Sequence, residues 1–432
     1  MFAVCNVAAI RMQSRHHMRP NIASPPNAGQ RVTLLGAGVA ALLMLAWARR
    51  RARPSALSPR KQALISLSDA MALRSIWQRR IGMDIGGTLA KMAVVSEPGK
   101  DPFAHIAFRN TTTTHPELAF DKKGSDASVH FLSIPTHLLE ATMRSVRDRM
   151  GALPWEQSQR LIVTAGGGGH RFRRMFREVL HTELVPFKEL QAVVGGLQFL
   201  REHGPPSTLF TVNADGVESV GWPEEPFPFL LVVMGSGVSV LRVTGPGEFT
   251  RVGGTACGGA TFLGLGRALT GLSDFADLMR MASRGDAGRV DKSVGDIYGD
   301  AGCTDLGMPA SHTAASFGRL ATLSPTEMAA DDAHADAMVC ALLRMVAQAS
   351  VVLAKAYASA PGAPGGSCLD RVFYVGGFAG ADENEMARTM IAESMRAVGG
   401  RAIFCKHAPY LGALGSLNAC LERHRAEASR TS

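Results

Sequence analysis

Residues 81–98, IGMDIGGTLAKMAVVSEP, place Asp84, Gly86, Gly87, Thr88 and Lys91 in one short stretch between two apolar runs. Glycines weaken a strand through backbone entropy and lost packing, so an adjacent pair marks a tight turn or a close approach to the backbone. In a DxGGTxxK hairpin the glycine N–H groups can reach phosphate oxygens and the threonine adds a hydroxyl donor. The lysine adds a point charge, and the aspartate can hold a metal-bound water. The plainer alternative is a turn and nothing more. Two further stretches favour phosphate chemistry. LIVTAGGGGHRFRRMFREVL passes from a buried strand through Gly166 to Gly169 into a basic helix, the order of a phosphate cradle. FLLVVMGSGVSVLRV, with Gly235 and Gly237 flanking Ser236, repeats the first hairpin in outline.

Elements around these stretches alternate between strands and helices. Ile81 to Ile85 and Met92 to Val95 form the strands of the first hairpin. Leu139, Met143, Val146 and Met150 share one helical face, and Met338, Leu342, Met345, Ala349 and Val352 form the core stripe of a long later helix. RVFYVGGFAG and YLGALGSLNA read as glycine-punctuated strands or loops, and residues 100–126, with four consecutive threonines, as a polar surface excursion. The turn formers of residues 201–228 mark a boundary. The chain therefore divides into an extension (1–68), a first half (79–227) and a second half (228–425), with the two hairpins as an internal duplication facing a cleft.

Composition narrows the function. The 432 residues are 46% apolar and 19% charged, enough for a large core and too long for one ordinary domain. The net charge of +9 is not spread over the chain. Residues 1–68 hold ten Arg and Lys and no acid, so removing those ten from 46 bases leaves 36 against 37 acids. A near-neutral body gives no footprint for a nucleic-acid partner. Seven cysteines without CxxC pairs read as reduced core residues of an intracellular protein. The apolar run Val32 to Ala48, followed by Arg49, Arg50, Arg51 and Arg53, reads as a short membrane anchor holding the body on the cytosolic side. A mitochondrial or other organellar presequence and an inert extension are its alternatives.

The glycine pattern resembles the α/β architecture of actin, hexokinase and heat-shock ATPases, two ribonuclease-H-like domains closing on a nucleotide. A more specific resemblance is to the eukaryotic-type (type II) pantothenate kinases. It rests on DIGGTLAK, TAGGGGHRF, FKELQAVVGGLQFL, LLVVMGSGVSVL, TRVGGTACGGATFLGLGRALTG, ASRGDAGRVDKSVGDIYG, AASFG, DRVFYVGGF and PYLGALGSL, in the family's order over roughly residues 80–422. The resemblance implies ATP-dependent phosphorylation of pantothenate, with Mg2+, by a homodimer restrained by acyl-CoA.

It also implies residue roles. Glu189 falls where the family has its general base, and Asp84 is the candidate for ordering the metal through water. Arg251, Ser236 and Ser239 fall at the pantothenate and acyl-CoA pocket. Gly86, Gly87, Thr88, Lys91, Gly166, Gly167, Gly235, Gly237, Gly258, Gly259, Gly376 and Gly377 fall along the nucleotide. Three positions depart from the pattern: Ala260 for a third glycine, Gly377 for an asparagine, and Gln191 where acids are common. A scaffold that kept the nucleotide site without turnover, or a related sugar or acyl kinase, are the competing readings. The joint presence of Asp84, Glu189 and Arg251 favours activity, since a scaffold needs the glycines but no base.

Overall fold

The computed structural model describes residues 67–431 except 78, 104–111, 151–160, 323, 325–331, 361, 364 and 381–383. The apolar run at 32–48 lies outside the described residues. The body begins with helix α1 (Leu67–Trp77). Strands β1 (Ile81–Ile85) and β2 (Leu89–Ser96) make the first hairpin, four residues longer in β2 than expected. Short strands β3 (Thr113–Thr114) and β4 (Phe120–Asp121) lead to β5 (Ser128–Pro135) and helix α2 (Thr136–Met150). Next come β6 (Leu161–Ala165), α3 (Gly168–Arg171), α4 (Arg173–Leu180), β7 (Glu183–Pro186) and α5 (Glu189–His203).

Strands β8 (Leu209–Asn213), β9 (Gly216–Val220), β10 (Phe229–Met234), β11 (Val238–Gly245) and β12 (Glu248–Thr255) follow. Helices α6 (Gly259–Thr270) and α7 (Phe275–Arg284) precede an excursion with β13 (Lys292–Ser293), α8 (Gly295–Tyr298) and β14 (Thr313–Ala315). The long helix α9 (Asp332–Ala358), β15 (Val372–Val375), α10 (Gly377–Gly380), α11 (Glu385–Ala397), β16 (Ala402–Cys405) and α12 (Leu411–Thr431) complete the body.

The strands form two large sheets. The first runs β3-β5-β2-β1-β6-β7, with β4 also on β5, and the second β12-β11-β10-β15-β16-β8-β9. In the first, β5, β2 and β1 pair antiparallel and β1, β6 and β7 parallel. In the second, β12, β11 and β10 pair antiparallel and β10, β15 and β16 parallel. The two sheets thus repeat one order and one set of directions, which is the duplicated ribonuclease-H-like α/β architecture. The strands β8 and β9, N-terminal to residue 228, pair in the second sheet, where Phe210 stacks on Phe404 at 5.6 Å.

Apolar side chains fill both faces. One cluster joins the first sheet to α1, α2 and α4, including Leu73, Ile76, Trp77, Leu139, Met143, Val146 and Phe176. A second joins the other sheet to α9 and α11. A third takes residues from both sheets, such as Phe131, Leu231 and Phe373, and closes them with α5 and α12.

Three expectations are corrected. YLGALGSLNA is the start of helix α12, not a strand or loop; its glycines admit close helix packing instead of breaking the helix. Val352, expected in the core stripe of α9, is 65% exposed, and Met338, Met345 and Ala349 are half-buried. The deep side carries Val339, Leu342, Leu343, Val346, Ser350 and Ala354, because α9 packs on α6, α7, α11 and the second sheet at once. Residues 100–126 are not only a surface excursion: Phe103 and Phe120 are buried, and Thr113 and Thr114 pair with Ser133 and Leu132 of β5. Helix α9 is long and apolar enough to cross a membrane by composition, but most of that window is buried in the core.

Candidate active site

The first hairpin brings two charges together through register alone: Asp84 of β1 lies opposite Lys91 of β2. Its turn is tied down by Thr136 at the start of α2, whose hydroxyl donates to the Gly86 carbonyl at 2.9 Å and whose N–H donates to the Thr88 carbonyl at 2.8 Å. Gly87 and Thr88 are left exposed, with open space beside Gly87. Desolvation pushes the Asp84 carboxyl above its ordinary range, with the Lys91 charge opposing and the Glu189 charge adding to the rise. Desolvation likewise pulls the Lys91 ammonium down against the pull of Asp84. Glu189 reaches this field as the exposed first residue of α5, immediately after β7 and the Phe187–Lys188 link.

Two backbones close on Asp84. Gly166, at φ 80°, follows β6, which runs parallel to β1; a Cβ there would stand 2.8 Å from Asp84 Oδ1 and 2.6 Å from the Ile85 carbonyl. An L side chain is disfavoured at this φ and has no room, so only glycine fits. Gly412, in the first turn of α12, comes from the other end of the chain. Its Cβ would stand 2.5 Å from Asp84 Oδ2. Gly167 has open space beside it.

The second hairpin repeats the construction without the charges. Gly376, at φ 95°, follows β15, which runs parallel to β10, and a Cβ there would stand 2.5 Å from the Met234 carbonyl. Met234 ends β10 as Ile85 ends β1, so Gly376 and Gly166 occupy equivalent places. The Gly235 to Gly237 turn is bound to the start of α6: Gly259 N–H donates to the Gly235 carbonyl at 2.9 Å and Ala260 N–H to the Ser236 carbonyl at 3.0 Å. Gly258 lies against Gly237, where a Cβ would stand 2.6 Å from its Cα. Gly377 is exposed with open space beside it. Ser239 and Arg251 meet across β11 and β12, Arg251 Nε donating to Ser239 Oγ at 3.4 Å, while Ser236 stays in the exposed turn.

The expected residues thus form three groups: Asp84, Lys91, Glu189 and Gly166 at the first hairpin; Gly235, Gly237, Gly258, Gly259 and Gly376 at the second; and Ser239 with Arg251 on the adjoining strands. An open pocket of about 630 Å³ involves none of them. It is lined by Arg201, Trp222, Glu224 and Phe227, near the far end of α5.

A single half-buried carboxylate suits Mg2+, which keeps several waters and takes its remaining ligands from nucleotide phosphates. Among the described residues no three His, Cys, Asp or Glu side chains gather into an all-protein cage. Among the described residues Cys303, Cys340, Cys368, Cys405 and Cys420 are buried.

The Fumble family pattern matches residues 80–419. The chain belongs to the Fumble family. Pantothenate kinase 1 of Arabidopsis thaliana is 30% identical over 341 residues, 78% of this chain and 84% of its own. Pantothenate kinase 1 of Oryza sativa subsp. japonica is 30% identical over 340 residues, 78% of this chain and 47% of its own. A Mus musculus relative named 4'-phosphopantetheine phosphatase is 30% identical over 354 residues, 78% of this chain and 40% of its own. This chain therefore spans less than half the length of the rice and mouse relatives. Likeness to solved structures is weaker. The activator of 2-hydroxyisocaproyl-CoA dehydratase from Clostridium difficile has a TM-score of 0.42 at 15% identity, covering 81% of this chain and 97% of that one.

Ala260 carries no backbone strain, since it is the second residue of α6 and lacks a positive φ. Gln191 is an exposed residue in the first turn of α5. Sequence reasoning missed Thr136 and Gly412. The signal for Gly412 was the YLGALGSLNA stretch itself, whose small residues recur at helical spacing.

Proposed function

We propose that this Fumble-family chain phosphorylates pantothenate with ATP to give 4'-phosphopantothenate, the first step toward coenzyme A. The observation that carries the reading is the meeting of Asp84, Lys91 and Glu189 at one hairpin end, within the residues matched by the family. In the reaction the pantothenate hydroxyl oxygen bonds to the γ-phosphorus as the bond to the β,γ-bridging oxygen breaks, and ADP leaves. Glu189 accepts the hydroxyl proton, a role that suits an exposed carboxylate opening a helix beside a phosphate cradle. Lys91 and the backbones of Gly86, Gly87, Thr88, Gly166, Gly167, Gly235, Gly237, Gly258, Gly259, Gly376 and Gly377 hold the nucleotide, those of Gly86, Gly235, Gly258 and Gly259 by shaping the turns, since their N–H groups donate within the protein. Arg251, with Ser236 and Ser239, holds the pantothenoyl group, guanidinium geometry suiting a carboxylate or carbonyl. Asp84 is the residue that would hold Mg2+, which would supply positive charge against the phosphates when bound.

The same reading carries a cleft between the halves built on the two sheets, with β8 and β9 on the second side of it, a homodimer, restraint by acyl-CoA at the Arg251 pocket, and a membrane or organelle address in residues 1–68. Its test is ATP-dependent phosphorylation of labelled pantothenate by the purified chain with Mg2+, with acetyl-CoA titrated in. Turnover that acetyl-CoA suppresses is expected. The second reading is a nucleotide-binding scaffold without turnover; one relative similar over 78% of this chain is named for an activity other than a kinase's. ATP binding without turnover would reject the kinase and support the scaffold.

A further inference from the structure

Helix α11 is preceded by Asn384, an N-cap residue whose side chain makes no capping bond to its own helix. Asparagine at this position ordinarily accepts from the first-turn amides and stabilises the helix. Here the side chain, fully buried, points elsewhere: Nδ2 donates to the Gly377 carbonyl at 3.0 Å and to the Phe378 carbonyl at 2.8 Å. One helical turn later Arg388, also buried, donates through Nη1 to the Ala379 carbonyl at 3.4 Å. Residues four apart share a helix face, so α11 presents both donors to one target. That target is the run of carbonyls that the one-turn helix α10 leaves without intrahelical donors. A cationic side chain at that end also suits the peptide dipoles.

We infer that Asn384 and Arg388 are positioning residues for the nucleotide. Acting through α10, they fix the Gly376–Gly377 backbone, which docks on the Met234 carbonyl beside the Gly235 to Gly237 turn. This inference rests on the proposed kinase reading, in which that backbone faces ATP. Gly377 has no side chain of its own to hold the loop, which is held from outside, through an asparagine seven residues on. Neither side chain touches the substrate in this role. A loosened loop weakens nucleotide contacts and leaves the pantothenate pocket at Arg251 as it was.

The test uses the full chain with Asn384→Ala, Arg388→Met and Arg388→Lys, measuring the ADP dissociation constant by calorimetry, the KM values for ATP and pantothenate, and thermal unfolding. Asn384→Ala and Arg388→Met should each raise the ADP dissociation constant and the ATP KM on the order of tenfold, the scale of a displaced positioning group. The pantothenate KM should stay within about twofold, and Arg388→Lys, which keeps a donor for the Ala379 carbonyl, should restore most of the ADP affinity. Unchanged ADP affinity in folded Asn384→Ala and Arg388→Met proteins overturns the inference, as does an equal rise in both KM values. If Asn384→Ala does not fold, the Arg388 pair decides: ADP affinity that ignores Met against Lys overturns it. Failure of the kinase reading looks different, because the unsubstituted chain would then show no turnover while ADP binding still reports on the loop.

Discussion

At the scale of residues, the site depends on one carboxylate held between opposing influences. Burial and Glu189 push the Asp84 carboxyl up, and Lys91 pulls it down. Lys91→Met removes the only one of these that favours the ionised form, so the carboxyl should rise further. Because the metal role needs the carboxylate ionised, the acid limb of the kcat/KM profile at fixed Mg2+ should move to higher pH. An unmoved limb would separate Lys91 from Asp84. Glu189→Gln should lower kcat by a factor on the order of a hundred or more while leaving ADP binding intact, the scale of a positioned general base. Near-normal turnover in that variant would remove Glu189 from its role. Gly412→Ala would place a methyl 2.5 Å from Asp84 Oδ2. It should raise the Mg2+ concentration for half-maximal rate by about tenfold, as loss of a group supporting a metal ligand does.

At the scale of elements, the seam between α5 and α12 controls where Glu189 stands. Backbones meet there: a Cβ at Gly196 would stand 2.0 Å from the Leu411 carbonyl, and one at Gly415 1.9 Å from the Ala192 carbonyl. Alanine for glycine inside a helix normally adds about 0.5–1 kcal/mol. Here the sign should reverse, with Gly196→Ala costing about 1–3 kcal/mol as an overpacked contact, read from urea unfolding. A stabilised variant would mean that the helices do not approach as described. The seam also shows why YLGALGSLNA was misread: glycine counts against a helix locally, and only the partner helix supplies the reason for it. The stripe on α9 failed for a related reason. Residues 337–354 are apolar nearly all round, so periodicity could not say that Val352 faces outward while Val346 and Ala354 face the core.

At the scale of the molecule, the sheets are joined through a packed aromatic cluster around His407, which follows β16. Its ring lies 5.4 Å from Phe120 and from Phe131, and Nε2 bonds to the Leu118 carbonyl at 2.9 Å. Burial pulls the imidazole down to about 4 from the ordinary 6.5. The unfolded chain therefore takes up this proton first as pH falls. The contribution is fully present above about pH 6.5 and lost towards pH 4, about 3 kcal/mol in all. Unfolding free energies at pH 7 and pH 5 should differ by less in His407→Gln than in the unsubstituted chain. An identical fall in both would place the acid sensitivity elsewhere, with His130 and His203, whose imidazoles burial also pulls down, as the next positions to test.

What the residues determined alone was whatever physical chemistry enforces locally. Two glycine hairpins, a strand and glycine loop before a helix, and the 3.6-residue stripe of α2 each rest on neighbours in the chain, and ordered motifs carried the family. The pairing of Asp84 with Lys91 came from the structure, because the strand extends back to Leu89 and sets the register. Tertiary structure alone decided the rest: that β8 and β9 join the second sheet, that α12 returns to lay Gly412 beside Asp84, and that Asn384 serves the loop before it and not its own helix. These contacts join residues far apart in sequence or pointing against their local preference. Their free energy comes from burial and from carbonyls that need donors, which a reading of neighbouring residues does not count.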